Sequence, residues 1–310
     1  MIDSRLQLLL AVSEYGTVTA AAEALFRSPS GVSRQIKQLE AEIDLDLLEH
    51  DGRRVKLTSA GQRLVEHTRA LNAQWESALS DTASAATQLC GPVVIGGFAT
   101  ILTAVVTPAV VRLRAEHRQV KPVAKEIYSQ EISKALETGA IDVGLFVADE
   151  STSRLPDYLE VEEFMDDPID LLVHRDHVFA VRDEVRLEEA RHEEWITGLP
   201  HQDSYMELYA ATRSAGYAPR SSHYAQDLTA TTAMVAAGLG ISAFPRIAQE
   251  ISHPQVRRIP LAGEHRPHRR IMVTFRAGSR GNPRIDAAIH AMETVRTTLA
   301  DRTPGPTTGP

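Results

Sequence analysis

The stretch from residue 17 to residue 43 constrains the fold of this chain most, because two helix-forming runs flank a three-residue break, Phe26-Arg27-Ser28. The first run contains Ala20-Ala21-Ala22, whose small side chains let a second helix pack closely, and the hydroxyl of Thr19 is predicted to cap its start. The second run repeats apolar residues at helical spacing: Val32, Ile36, Leu39 and Ile43. The pattern predicts two short helices joined by a tight turn.

Basic and hydroxyl side chains fall outside that apolar stripe, and they are suited to phosphates and base edges. The net charge of the chain is −8, so DNA would repel it unless its basic groups were concentrated. They are concentrated in residues 27–37 and 52–65, which contain no acid, while an acidic run separates the two segments. A DNA footprint is one interpretation of this pattern, and two solvated faces of one small domain are the other.

The segment resembles the N-terminal domain of LysR-type transcriptional regulators. Matching positions are Leu6, Val12, Gly16, Thr19, Ala21, Ala22, Leu25, Ser28, Val32, Ser33, Gln35, Ile36, Leu39 and Glu40. The match continues through residues 53–61, which look like the family's wing and the start of its linker helix. The resemblance implies double-stranded DNA as a partner, with contacts from Thr19, Ser28, Ser30, Ser33, Arg34, Gln35, Lys37, Arg53, Arg54 and Lys56.

Two residues depart from the family pattern. Pro29 stands where the family usually has Gln; proline suits the first turn of a helix, so we expect the fold to persist but to touch DNA at one point fewer. Asp44 stands where the family usually has Gly just past the recognition helix, and we expect a small stability cost.

A heptad pattern follows the wing and predicts a long helix over residues 59–89, which the resemblance implies is a dimer-forming linker helix. Its members are Leu64, Thr68, Leu71, Trp75, Ala78, Thr82, Ala85 and Leu89. Since half of these are threonine or alanine, a helix packed on its own domain is the alternative; the resemblance favours a homodimer or homotetramer. The winged helix-turn-helix domain is assigned to residues 1–58.

Beyond Cys90-Gly91-Pro92, strands and helices alternate, which predicts an α/β domain with a largely parallel sheet over residues 90–300. A final strand and helix return to the first set, giving subdomain I (about 90–165 and 266–300) and subdomain II (about 166–265). The fold class is therefore α/β with an N-terminal all-α winged helix-turn-helix domain. The C-terminal domain resembles a periplasmic-binding-protein fold, and residues 301–310, rich in Pro, Thr and Gly, are predicted to be a disordered tail.

Ligands of open α/β sheets bind beyond the carboxyl ends of strands, where helices begin. Three such loops contain Thr100, Ser129 and Ser204, and these residues, with Tyr224, match positions at which family members contact effectors. These donors suggest a small anionic effector, a carboxylic acid. Phe98 stands in the first loop where the family often has a smaller residue, and it is predicted to narrow the pocket or to stack on a ring of the effector. Simple helix capping is the alternative for each serine and threonine.

Other chemistry is not indicated. The single cysteine, Cys90, excludes a two-thiol switch within one subunit, and no cofactor motif, zinc spacing or catalytic triad is found. No signal peptide or membrane-spanning run is indicated, so we expect a cytoplasmic protein that is not an enzyme. The leading hypothesis is a ligand-responsive regulator of LysR type; the alternative is a small-molecule binding protein or enzyme whose N-terminal helices serve only for dimerisation.

Overall fold

The computed structural model describes residues 3–51, 54–84, 89–148, 155–200, 203–248 and 253–302. The N-terminal unit contains helices α1 (Ser4–Tyr15), α2 (Val18–Ala24) and α3 (Pro29–Ile43), and then strands β1 (Leu48–Asp51) and β2 (Arg54–Leu57), which pair antiparallel. Helix α4 (Ser59–Ser84) follows. Alanines of α2 pack with leucines of α1 and with the apolar face of α3 in one core.

The remaining strands are β3 (Gly91–Gly97), β4 (Val120–Glu126), β5 (Val143–Val147), β6 (Leu159–His174), β7 (Val185–Arg186), β8 (Glu194–Thr197), β9 (Arg220–Tyr224), β10 (Ser242–Pro245), β11 (Val256–Ala262) and β12 (His268–Arg276). The helices among them are α5 (Ala99–Ile101), α6 (Thr107–Glu116), α7 (Ile132–Glu137), α8 (Asp203–Ser214), α9 (Leu228–Ala236) and α10 (Pro283–Arg302), with a π-helical turn, Leu102–Val106, joining α5 to α6. The strand order of the main sheet is β4-β3-β5-β12-β6-β11-β7, β10 also pairs with β6, and β8 pairs with β9.

Strand β6 connects two separate hydrophobic cores. The first half of β6 pairs with β12, and its second half, from Ile169, pairs with β10 and β11. Phe164 of β6 packs in one core with β3, β5 and α10, whereas Leu171 packs in the other with β11 and Trp195. The point at which β6 leaves β12 is therefore the boundary between the two subdomains.

The sheet differs from the largely parallel arrangement predicted from the sequence. Strands β3, β4 and β5 are parallel, but β12 runs antiparallel to both β5 and β6. A parallel neighbour would require a crossover connection, usually a helix, whereas an antiparallel neighbour does not. Strand β12 follows β11 of subdomain II without an intervening helix and pairs antiparallel with its neighbours in subdomain I.

Two element boundaries also differ. The apolar run of residues 169–173 predicts a strand, but β6 already begins at Leu159. The earlier half is missed because it carries five acidic residues and does not look buried. Helix α10 continues to Arg302, so the predicted tail does not begin at residue 301; residues 303–310 lie outside the described residues.

Candidate DNA-binding and effector sites

The outward side of α3 carries a stripe of donors. Each of its members is three or four residues from two others, so all of them lie on one side of the helix: Ser30, Ser33, Arg34 and Lys37. The opposite side is the predicted apolar stripe, in which Val32, Ile36 and Leu39 are at most 5% exposed. Arg34 and Lys37 are exposed and form no ion pair with the described residues. A helix with this arrangement can present its donors to a DNA groove.

Two side chains at the helix starts have local roles. Ser28 caps α3, accepting from the Gly31 backbone N–H at 3.2 Å, and Pro29 is the first helical residue, as expected. Thr17, and not Thr19, caps α2, accepting from the Ala20 N–H at 3.0 Å, so the predicted cap is wrong by two residues. The extended backbone required of a cap occurs at Thr17, while Thr19 is an exposed residue inside the helix.

Gln35 lies outside the stripe. It precedes the buried Ile36, and its Oε1 accepts from Arg27 Nη1 at 3.2 Å, which holds it beside the turn. On the wing, Lys56 is exposed on β2 and the backbone of Arg54 pairs with Asp51. Arg53 and the side chain of Arg54 lie outside the described residues.

The acidic residues after α3 include two with structural roles. Glu40 Oε1 accepts the backbone N–H groups of Leu47 and Leu48 at 2.8 and 3.0 Å, which fixes the loop that follows α3. Glu42 forms a 2.6 Å ion pair with Arg5. Both carboxylates are thus engaged away from the donor stripe.

Helix α4 presents part of the predicted heptad face to solvent. Leu71 and Trp75 are 47% and 41% exposed, and Ala78 and Thr82 are exposed on the same side. Thr68 is fully buried and donates to the Leu64 carbonyl, so the seam does not extend to the start of the helix. Ala85 lies outside the described residues, and Leu89 packs against the core of subdomain I.

Two of the predicted effector residues converge on a buried arginine. Thr100, in α5, is 9% exposed, and its Oγ1 accepts from Arg269 Nη2 at 3.1 Å. The half-buried ring of Phe98 lies 5.1 Å from the centre of the same guanidinium. Arg269 also forms an ion pair with Asp167, with Nη2 to Oδ2 at 2.5 Å, and the two side chains are 7% and 0% exposed.

The other predicted effector residues make different contacts. Ser129 opens a 3₁₀ turn and its Oγ accepts from the Val147 N–H at 3.3 Å, beyond the carboxyl end of β5. Tyr224 ends β9 with a 47% exposed side chain, and its hydroxyl donates to the Ser221 carbonyl at 3.3 Å. Ser204 is exposed in the first turn of α8; residues 201 and 202 lie outside the described residues.

Arg269 and Asp167 were not predicted from the sequence. Each is a charged residue in a strand, which looks like a solvent-facing position, and 102 residues separate them. Their register on β12 and β6, where they stand directly opposite each other, is visible only in the structure.

Neither a metal centre nor a membrane segment is found in the described part of the chain. No group of three or more His, Cys, Asp or Glu side chains there is placed to hold a metal ion. Among the same residues, no helix is both long enough and apolar enough to cross a membrane.

Two family models match the chain. One, described as "Bacterial regulatory helix-turn-helix protein, lysR family", matches residues 4–62, and the other, described as "LysR substrate binding domain", matches residues 86–296. The regulator AlsR of Bacillus subtilis (strain 168) is 27% identical over 248 residues, which span 79% of this chain and 81% of AlsR.

Solved structures share the fold. A full-length OxyR variant from Pseudomonas aeruginosa superposes with a TM-score of 0.68 at 19% identity, covering 94% of each chain. Full-length CbnR in complex with its target DNA superposes with a TM-score of 0.57 at 23% identity, covering 95% of this chain and 99% of CbnR. The predicted fold class, an N-terminal helix-turn-helix domain followed by two α/β subdomains, is confirmed.

Proposed function

The chain belongs to the LysR family of bacterial helix-turn-helix regulators, and we propose that its α3 stripe reads an operator while a small carboxylic acid binds between the two α/β subdomains. The observation that carries the DNA-binding half of the proposal is the stripe itself. Three exposed donors, Ser30, Arg34 and Lys37, and the partly exposed Ser33 face away from the core, and the charged members form no ion pair with the described residues. Arg34 and Lys37 supply the positive charge, and Ser30 and Ser33 supply neutral donors.

Dimerisation sets the distance between two α3 helices, and so the spacing of the two operator half-sites that they can bind. Two copies paired through the exposed face of α4, including Leu71 and Trp75, place two recognition helices for half-sites about one DNA turn, or a multiple of it, apart. The wing adds Lys56, Arg53 and Arg54, with Thr19 and Ser28 as flanking contacts at the helix starts. Gln35 is the weakest member of the set because Arg27 already occupies its amide oxygen.

The effector acts through the relative orientation of the subdomains. A carboxylic acid bound at Phe98 and Thr100, with Ser129, Ser204 and Tyr224 as further contacts, stabilises one orientation over the other, and this population shift moves the DNA-binding pairs. The effector is released unchanged, so we assign no enzymatic reaction. Because the partner is chromosomal DNA, we place the protein in the cytoplasm.

The test is a DNase footprint on the DNA upstream of the protein's own gene at several salt concentrations. Wild type should protect a two-fold symmetric site, and its affinity should fall steeply with salt because counterions are released. Arg34→Ala should lose about 1 to 3 kcal/mol of binding free energy if Arg34 reads a base.

The matched control is Arg112→Ala, which removes an exposed arginine of α6 that pairs with Glu116 and lies in subdomain I. This variant should protect the site as wild type does. Protection by Arg34→Ala at wild-type affinity would remove Arg34 from the interface. No protection by wild type at any salt would contradict the assigned DNA site.

A further inference from the structure

We propose that Arg269 recognises the carboxylate of the effector, and that Asp167 is the internal anion with which the effector competes for it. The inference deepens the proposed effector site and rests on it. It assigns the recognition step to a side chain that the sequence pattern did not single out.

Not all hydrogen-bond donors of the Arg269 guanidinium have a partner among the described residues. Its Nε and Nη2 both donate to Asp167 Oδ2, at 3.0 and 2.5 Å, and Nη2 also donates to Thr100 Oγ1 at 3.1 Å. The third nitrogen, Nη1, makes no hydrogen bond to the described residues. The hydroxyl of Thr100 accepts from Arg269, so its own hydrogen is free, and no acceptor for it occurs in the described part of the chain.

Arg269 Nη1 is not among the buried, unpartnered polar atoms of the described residues, so solvent reaches it, and an acceptor that approaches there can complete the hydrogen bonds of the guanidinium. A carboxylate supplies two oxygens in one plane, which suits a guanidinium N–H₂ and a neighbouring hydroxyl. The apolar ring of Phe98 lies 5.1 Å from the guanidinium carbon, and Arg269 itself is buried, so the local dielectric is low and charge-assisted hydrogen bonds are strong.

The arginine also stands in a chain of contacts between the subdomains. Thr100 belongs to the helix after β3, Arg269 to β12, and Asp167 to β6, one residue before β6 leaves β12. The chain ends at the Ile247 backbone N–H, which donates to Asp167 Oδ1 at 2.9 Å and follows β10 of subdomain II. An anion that binds Arg269 weakens its bond to Asp167 and so alters a chain of contacts that joins the two subdomains.

If the effector and Asp167 compete for Arg269, substitutions of Arg269 and of Asp167 should change carboxylate affinity in opposite directions. Removing the guanidinium in Arg269→Gln removes the recognition group. Removing the charge in Asp167→Asn leaves a buried cation uncompensated, which a bound carboxylate would neutralise. The second variant is expected to bind carboxylates more tightly than wild type, an outcome that poor folding cannot produce.

The experiment uses the full chain and follows its melting temperature with acetate or benzoate, and with the neutral acetamide or benzamide, at ionic strength matched with chloride. Wild type should be stabilised by the carboxylates and not by the amides. The apparent carboxylate affinity should fall about tenfold or more in Arg269→Gln and rise in Asp167→Asn. Arg269→Lys keeps the charge and should respond between wild type and Arg269→Gln.

The matched control is Arg258→Gln, which removes a partly buried arginine that also pairs with an aspartate, Asp170, 2.9 Å away in subdomain II. Its carboxylate response should equal that of wild type. The proposal is overturned by no carboxylate-specific stabilisation of wild type, by an unchanged response in Arg269→Gln, by an equal loss in Arg258→Gln, or by weaker binding in Asp167→Asn. Operator binding without ligand, measured on the same variants, reports separately on the DNA-binding function.

Discussion

Two residues of the DNA-binding domain adopt the left-handed backbone conformation although neither is glycine. Asp44 ends α3 with φ 55° and ψ 42°, and its N–H bonds to the Glu40 carbonyl, which is the conformation expected from its position after the recognition helix. Phe26, in the turn between α2 and α3, has φ 54°. The left-handed region is costly for a residue with a Cβ, and more so for a bulky side chain than for Asp.

Phe26→Gly is expected to stabilise the α2–α3 unit by about 1 kcal/mol, because glycine adopts a positive φ without a steric penalty. The ring of Phe26 is 91% exposed, so its removal sacrifices little burial. Hydrogen exchange of the α2 and α3 amides in the full chain measures the change. Phe26→Ala keeps the Cβ and serves as the control; equal protection in the two variants would show that the backbone conformation is not the cause.

At the same scale, the sequence predicts side chains whose function is local and misses those whose partner is distant. Ser30, Ser33, Arg34 and Lys37 fall on one helix side because their spacing is fixed along the chain. Arg269 and Asp167 are brought together only by the register of β12 and β6. The first half of β6 is so acidic that the sequence does not predict a strand there. Charge pairs between strands leave no periodic signal in a sequence.

At the scale of elements, long periodic segments are predicted best. Apolar spacing predicts α3, a helix over residues 227–237 that corresponds to α9, and strands over residues 93–96, 142–147 and 271–275 that correspond to β3, β5 and β12. The wing is indicated by the family resemblance. Strands β9 and β11 are missed because the first is polar throughout and the second contains Pro260 and two arginines. Arg258 of β11 is accommodated by an ion pair with the buried Asp170, a tertiary contact that overrides the local preference.

The exposed face of α4 makes a prediction about assembly. Trp75→Glu introduces a charge at an apolar contact, and if a second copy covers Leu71 and Trp75, the dimer should weaken by about 2 kcal/mol or more. Sedimentation velocity over a concentration series measures the loss. Ala70→Glu introduces the same charge on another side of the helix and should leave the dimer intact; wild-type association in Trp75→Glu would place the interface elsewhere.

At the scale of the whole molecule, the N-terminal unit and α4 dock on subdomain I of the same chain. Arg69 of α4 pairs with Glu14 of α1 at 2.9 Å and with Glu137 of α7 at 2.6 Å. Lys134 lies over the ring of Tyr15, and Ser80 Oγ donates to the Gly278 carbonyl at 3.0 Å. The backbone approaches so closely there that a Cβ on Gly278 would lie 2.8 Å from the Ala73 carbonyl oxygen.

Glu137 is the buried carboxyl group of this contact. Its side chain is 2% exposed, and the Tyr158 hydroxyl donates to Oε2 at 3.1 Å. Burial, and then the neighbouring Glu14, raise the pKa of Glu137 to about 7, although Arg69 opposes the shift. Glu14 and Glu137 both pair with the single positive charge of Arg69, so a proton on Glu137 leaves one negative and one positive charge at the contact. Lys134 lies on the same helix as Glu137, and Arg276 lines a cavity of about 20 Å³ together with Glu137 and Arg69. Arg276 is itself paired with Glu76 and Asp142.

The docked arrangement should therefore weaken as the pH rises through about 7. In an undocked chain Glu137 is more exposed and loses its proton nearer the ordinary pKa of 4.5, whereas docked Glu137 keeps it to about 7, so docking takes up a proton between these values. Hydrogen exchange of α1 and α7 in the full chain, corrected for intrinsic rates, should show lower protection at about pH 8 than at about pH 6. Glu137→Gln carries a neutral amide of similar shape and should flatten this dependence; an unchanged pH dependence in the variant would assign the proton to another group.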